Sequence, residues 1–366
     1  EGLPADRMHE DFENGIAGWS VDHGTWEVGE PLAGPSRARS GANCAGTNLD
    51  GNYFPYTTTR LISPAIALDS SPQDGTYWLS FWHWFQRYNT ADTFTIEIMG
   101  DTGIWEPLHT IVSLNSTNWT RTLIELTAYA GQTVRIGFHF TADSGAESHG
   151  WFVDDFDVFA GRPAWLSPDN FETSDWSPLA LQGGWSADQG SWEIGDPTAG
   201  PGAAFEGNSC AGTVLDGNYL FRTDSRLISP PVDLASAPAS GKLWFTFWHW
   251  YSFYNGDSGQ LEILLPDSSW TAITGTFTHT SGGWTQNIVD VSEYAGQTVQ
   301  FGFHLSDSPT AGSHVAAGWY VDKVGLVEGL KFFTNPEGFE TRTRGWYADY
   351  GTWQIGDPTA GPADPY

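Results

Sequence analysis

Lysine is almost missing from this 366-residue chain: it stands only at 242, 323 and 331, and Lys plus Arg reach 15 against 44 Asp plus Glu. The formal net charge of −29 repels nucleic acid and anionic membranes, so neither is an expected partner. Cysteine is as scarce. Cys44 and Cys210 occupy matching stretches, ANCAGT and NSCAGT. Equivalent positions of separate domains seldom touch, so each reads as a small buried thiol rather than an interdomain disulfide or a nucleophile. No apolar run is long enough to cross a bilayer, and neither an initiator Met nor a signal peptide opens the chain at Glu1, so the numbering is expected to begin on a processed chain. HExxH, GxSxG and a glycine-rich phosphate loop are missing, and no Ser, His and Asp set stands out by its spacing. Catalysis is therefore not expected.

What is present is core-forming material. Apolar residues make up 40% of the chain and aromatics 15%, with 20 Trp, which excludes disorder. Acidic charge is spread along the whole length among Gly, Ser and Thr, as expected of a secreted protein in a cation-rich, extracellular or cell-surface setting. Internal repetition is the dominant pattern. A first unit runs through Phe12-Glu13, Gly18-Trp19, GTWEVGEP, CAGTNLDGNY, RLISP, FWHW, YAGQTV, GFHF and GWFVDDFDVF. A second answers in the same order with Phe171-Glu172, Gly184-Trp185, GSWEIGDP, CAGTVLDGNY, RLISP, FWHW, YAGQTV, GFHL and GWYVDKVGLV. A third begins at Phe339-Glu340 and reaches GTWQIGDPTAGP before Tyr366.

A repeat of about 160 residues is too long for a solenoid unit and suits a complete domain. The expected division is residues 1–161, residues 162–329, and an opening fragment of a third repeat over 330–366. Periodicity inside each unit is that of strands: Phe94, Ile96 and Ile98 alternate with Thr93, Thr95 and Glu97, as do Val134, Ile136, Phe138 and Phe140 with Arg135, Gly137 and His139. Residues 77–85, YWLSFWHWF, are apolar on both sides and predict a central strand covered on both faces or lying under a long loop. The result is an all-β protein of tandem sandwiches. Alternation along 150–159 places Phe152, Asp154, Phe156 and Val158 on one side, and Trp151, Val153, Asp155 and Asp157 on the other. The second copy places Tyr320, Asp322, Val324 and Leu326 together. Asp154 and Asp322 then stand in apolar rows, which requires either a metal or backbone N–H donors to compensate the carboxylate. The next position changes from Asp155 to Lys323, as a solvent-facing site can.

The shared order of these motifs resembles the MAM-like jelly-roll modules found behind the catalytic domain of immune inhibitor A metallopeptidases and in choice-of-anchor surface proteins. The resemblance implies jelly-roll β-sandwiches that commonly carry structural calcium and have no catalytic role. Calcium takes several hard oxygen ligands from separate loops or strand ends. The matching acids are Glu13, Asp50, Asp143 and Asp154 in the first unit, and Glu172, Asp216, Asp307 and Asp322 in the second. In related jelly rolls an acid near the first strand can meet one near the last, making Glu13 with Asp154 and Glu172 with Asp322 the preferred pairs. Asp143 and Asp307 align only with a one-residue gap. Asp50 and Asp216, in LDGNY, serve equally well as turn residues.

The repeated His residues, His83 with His249 and His139 with His304, read as sheet residues rather than ligands. Repeated Trp residues read as core, whereas Trp105, Trp119, Trp270 and Trp284 lie in the variable middle and are the candidates for stacking on sugar rings. Asn115 and Asn118 head formal glycosylation sequons. Together these features lead to an expected noncatalytic extracellular structural or adhesive protein, calcium-stabilised, self-associating into a surface fibre or meeting other surface proteins. The alternative is a carbohydrate-binding accessory region of a secreted peptidase or glycanase, with a glycan as partner.

Overall fold

The computed structural model describes residues 5–329 except 73–74, 144, 164, 166, 173–183, 235–240 and 308–313, with side chains from Met8 onward. Beyond 329 it describes residues 338, 339, 346, 348, 353 and 355. The expected third repeat otherwise lies outside the described residues. Backbone proximity divides the chain into two compact units. One comprises Glu1–Ala164, Trp176–Glu193 and Leu220–Pro231; the other comprises Trp165–Asp175, Ile194–Tyr219 and Val232–Tyr366.

The first repeat supplies β1 (Ala5–Glu10), β2 (Ser20–Asp22), β3 (Glu27–Gly29), β4 (Cys44–Gly46), β5 (Thr58–Ile62), β6 (Ile66–Ala67), β7 (Tyr77–Gln86), β8 (Thr93–Met99), β9 (Trp105–Ile111), β10 (Thr120–Glu125), β11 (Thr133–Thr141) and β12 (Gly150–Ala160). One sheet has the order β10-β7-β12-β4-β3, with β1 also on β12; the other has β2-β5-β11-β8-β9, with β6 also on β11. The core between them takes Leu79, Phe81, Phe85, Trp151 and Val153 from the first sheet and Phe94, Ile96, Phe138 and Phe140 from the second. These are the alternating positions of each strand, because successive side chains of a strand leave on opposite faces. Each such large apolar side chain, withdrawn from water, contributes about 1.5–3 kcal/mol.

The second repeat supplies β13 (Ser186–Ala187), β14 (Glu193–Gly195), β15 (Cys210–Gly212), β16 (Asp224–Ile228), β17 (Val232–Asp233), β18 (Leu243–Ser252), β19 (Ser258–Leu264), β20 (Trp270–Ala272), β21 (Thr285–Asp290), β22 (Thr298–Ser306) and β23 (Gly318–Glu328). Its first sheet repeats the arrangement as β14-β15-β23-β18-β21. In its other layer β13 pairs with β16, β22 with β17 and β19, and β19 with β20, all antiparallel. The fold is all-β, two jelly rolls in tandem. No helix among the described residues is long and apolar enough to cross a membrane.

Strand β7 is buried on both faces, as its sequence predicts. Tyr77, Leu79, Phe81 and Phe85 enter the main core, while Trp82 turns outward and packs with Ala38, Cys44, Trp119 and Phe152. The connector between β3 and β4, which contributes Ala38, therefore covers the outside of the sheet.

Strand β12 departs from simple alternation. Its register against β7 slips between Asp154 and Asp157, where Asp155 takes a φ of 45°, a β-bulge that puts one extra residue into one strand. Trp151 and Val153 face the main core before the bulge, and Phe156 and Val158 face it afterwards. The expected row of Phe152, Asp154, Phe156 and Val158 is thus broken: Phe152 lies in the outer cluster. The second repeat slips at the same place, with Trp248 opposite Asp322 and Thr246 opposite Gly325, and Lys323 has a φ of 48°. Asp155, expected in solvent, is instead 1% exposed.

Candidate functional site

Asp154 is fully buried, and the β3–β4 connector wraps its carboxylate. Oδ2 accepts the backbone N–H of Arg39 at 2.9 Å and of Ser40 at 3.3 Å, while Oδ1 accepts that of Asp155 at 2.8 Å. Glu13 reaches the same connector one turn further on, its Oε1 accepting Ala42 N–H at 2.8 Å and Asn43 N–H at 2.7 Å. Gly41 lies between these contacts; a Cβ there would collide with the Glu13 carboxyl group. The second repeat builds the same clasp. Glu172 Oε1 accepts Asn208 N–H at 2.8 Å and Ser209 N–H at 2.6 Å, and Asp322 accepts Glu206 N–H at 2.9 Å and Lys323 N–H at 2.6 Å. Gly207 stands against Glu172 as Gly41 does against Glu13. Each preferred pair, Glu13 with Asp154 and Glu172 with Asp322, is thereby gathered onto one connector.

Burial dominates the electrostatics of this clasp. It pushes the Asp154 carboxyl up to about 8, reinforced by the neighbouring charge of Asp155 and opposed by the backbone N–H bonds. Burial also pushes Asp322 up to about 6. The difference follows the residue after each acid. In the first repeat Asp155 is buried, its Oδ1 accepting the Ser40 hydroxyl at 2.6 Å and its Oδ2 without a hydrogen-bond partner. In the second, Lys323 occupies the position and pairs with Glu206. The thiols of Cys44 and Cys210 lie beside the clasps and are pushed above their ordinary range, chiefly by burial and then by these carboxylates.

The remaining expected ligands lie elsewhere. Asp50 and Asp216 are exposed; Asp50 N–H donates to Asn48 Oδ1 at 3.2 Å in a local turn. Asp143 joins a different end of the sandwich, where its N–H donates to Asp92 Oδ1 at 2.9 Å. Asp307 is 7% exposed. Among the described residues no group of three or more His, Cys, Asp and Glu converges. A hard cation at a clasp would therefore draw on two carboxylates, with connector carbonyls and water completing its six to eight oxygens. The unpartnered, buried Asp155 Oδ2 fits that reading in charge and chemistry.

His83 and His249 are sealed between the sheets, each Nδ1 accepting an indole N–H, from Trp151 at 3.4 Å and from Trp319 at 3.3 Å. Burial lowers both imidazoles to about 3, so they are neutral core residues. Trp119, a candidate sugar platform, is 7% exposed and donates its indole N–H to Arg37 O at 3.1 Å. Trp284 does the same to Ala203 O at 3.1 Å.

One cluster escaped the sequence reading. On the outer face of β2-β5-β11-β8-β9, Arg60 donates to Asp22 at 2.5 Å and to Glu97 at 2.7 Å, and His139 pairs with Glu97 at 3.2 Å. The Arg60 guanidinium stands 4.6 Å from the Trp105 ring, and both side chains close over Gly137. The second repeat keeps Arg226 with Asp188 at 3.1 Å, His304 with Glu262 at 3.1 Å, and Trp270 over Gly302. The available signal was the repetition of RLISP and GFH, whose Arg and His face outward.

No protein-family model matches the chain. Bacillopeptidase F of Bacillus subtilis (strain 168) is 32% identical over 150 residues, which span 40% of this chain and 10% of that protein. The chain thus matches about a tenth of its relative's length. Among solved structures, the tandem CBM22 domains of Paenibacillus barcinonensis Xyn10C cover 90% of this chain and 99% of their own at 13% identity, with a TM-score of 0.29. The K3 adhesin domain of Lys-gingipain from Porphyromonas gingivalis W83 covers 43% of this chain and 100% of its own at 21% identity, with a TM-score of 0.31.

Proposed function

We propose that the chain is a noncatalytic binding region of a larger secreted or cell-surface protein, built from jelly rolls that calcium stabilises at the Glu13–Asp154 and Glu172–Asp322 clasps. The observation that carries the reading is the duplicated clasp. In each repeat a buried aspartate, Asp154 or Asp322, and a more exposed glutamate close one connector, and the desolvation of the aspartate is a cost that a divalent cation relieves. The match to part of a peptidase agrees with an accessory role, and the partner class that best suits such a region is a glycan. His83, His249 and most repeated tryptophans pack within the sheets or under the connectors, which leaves them structural. Self-association into a surface fibre, the other expectation, is carried by the repetition and acidity of the sequence alone.

Calcium titration of the full chain, followed by calorimetry and thermal melting, tests the proposal. A cation that binds only the folded form adds about 2.7 kcal/mol when free ion is 100-fold above Kd. Chelation is expected to lower Tm and open the connectors to protease, and calcium to restore both. Asp154→Asn with Asp322→Asn is expected to abolish that response. Silent calorimetry and an unchanged Tm in EDTA would overturn the calcium reading.

A further inference from the structure

Three connectors meet at one end of the first sandwich: β4–β5, β7–β8 and β11–β12. A buried polar knot ties them. Tyr53, 1% exposed, donates its hydroxyl to Asp92 Oδ2 at 2.6 Å and accepts Tyr88 N–H at 3.1 Å. Asp92, also 1% exposed, accepts Asp143 N–H on its other oxygen at 2.9 Å, and Arg87 donates to the Asp92 carbonyl at 2.6 Å. Tyr56 is anchored through its own N–H to Asp143 O at 2.9 Å. The connectors are thus fixed from below.

Above the knot the same connectors present large rings to water: Phe54 is 60% exposed, Tyr56 76% and Tyr88 56%. Single exposed aromatics are ordinary, but three on connectors that hydrogen-bond to one another at one end of the sandwich point to an occupant. Polar groups stand among them. Asp143 Oδ1 accepts the Gly145 N–H at 2.6 Å, Asn89 Nδ2 lies 3.5 Å from each Asp143 carboxylate oxygen, and a Cβ on Gly145 would crowd both groups and the Tyr88 ring edge. A carboxylate, an amide and a ring edge therefore converge on one point.

We propose that this end of the first repeat is a glycan-binding site, in which Tyr56 and Tyr88 stack on sugar rings while Asp143 and Asn89 hydrogen-bond ring hydroxyls. The proposal rests on the binding-region reading and names its ligand class. Flat rings with interspersed acceptors and donors match the alternating apolar faces and hydroxyl edges of a pyranose. The charge balance selects a neutral glycan: Asp143 lies inside the site, Arg87 is engaged below it, and the chain carries −29 overall. The second repeat has lost the platform. Leu220 and Arg222 stand where Phe54 and Tyr56 do, the Arg222 guanidinium lies 5.2 Å from the Phe221 ring, and Tyr254 is already stacked on His314 at 4.8 Å.

The test is calorimetry of the full chain against neutral xylo-, cello-, galacto- and manno-oligosaccharides, with oligogalacturonate as the acidic comparison. At least one neutral oligosaccharide is expected to bind. Affinity should fall at least about tenfold in Tyr56→Ala and in Tyr88→Ala, the scale of one lost aromatic contact, and stay unchanged in Tyr254→Ala. Both substituted rings are exposed, so Tm is expected to hold and to separate lost binding from lost fold. Absence of neutral-glycan binding, preference for oligogalacturonate, or binding that survives both substitutions overturns the site. Glycan binding that survives them would leave the binding-region reading standing.

Discussion

Gly41 and Gly207 turn at φ of 56° and 74°, and each has a glutamate carboxyl group where a Cβ would project. Two penalties coincide there, left-handed backbone and steric overlap. Gly41→Ala and Gly207→Ala are each expected to destabilise by about 1–3 kcal/mol, measured by urea denaturation. His83 and His249 give a pH dependence of defined sign. Their folded values of about 3 lie below the ordinary 6.5, so the unfolded chain binds more protons in that window. Stability is complete above 6.5 and is lost toward about 3, by about 1.4 kcal/mol per pH unit for each histidine. Denaturation curves of the parent are expected to fall on acidification through this window more steeply than those of a His83→Gln, His249→Gln variant. A flat profile would contradict the burial of both rings. At the two sequons, Asn118 is exposed while Asn115 is half-buried and its Oδ1 is shut off from solvent. Expression in a host that modifies sequons is expected to place glycan on Asn118 alone, which peptide mass mapping checks.

The bulge in β12 and β23 shows how far strand periodicity reaches. Alternation located every strand face in β8 and β11, and the double-sided apolar run located β7 beneath its connector, because both signals depend on burial alone. It failed beyond Asp154, where one inserted residue reversed the parity, since nothing in DDF or DKV distinguishes a bulge from continued pleat. The acid pairs were legible through their repetition. Their contact with the connector was legible only in part, because backbone N–H donors leave no mark in sequence, and the Tyr56–Tyr88 patch was invisible because the two rings come from distant connectors. Lys323, at φ 48°, offers a test of the bulge itself. Valine favours strands, yet a β-branched residue tolerates left-handed backbone poorly. Lys323→Val is therefore expected to destabilise by about 1–3 kcal/mol, while Lys323→Gly stays within about 1 kcal/mol of the parent. Equal stability of the two variants in urea would refute the conformational argument.

Across the whole molecule, charge of one sign opposes compactness. Sodium chloride is expected to raise Tm by screening, and the increment should persist in EDTA, which separates it from calcium binding at the clasps. Strand order has a mechanical consequence as well. In the first repeat β1 lies antiparallel to β12, with Ala5 opposite Ala160, so the two ends of the sandwich emerge side by side. A load applied between those residues meets the ladder of that pair one rung at a time rather than all rungs together. The sandwich should peel open from Ala5 toward Glu10 at low force, with the Glu13 clasp as the first firm stop. Single-molecule pulling between positions 5 and 160 is expected to show an early, soft extension. Calcium should leave that extension unchanged while raising the force of the rupture that follows.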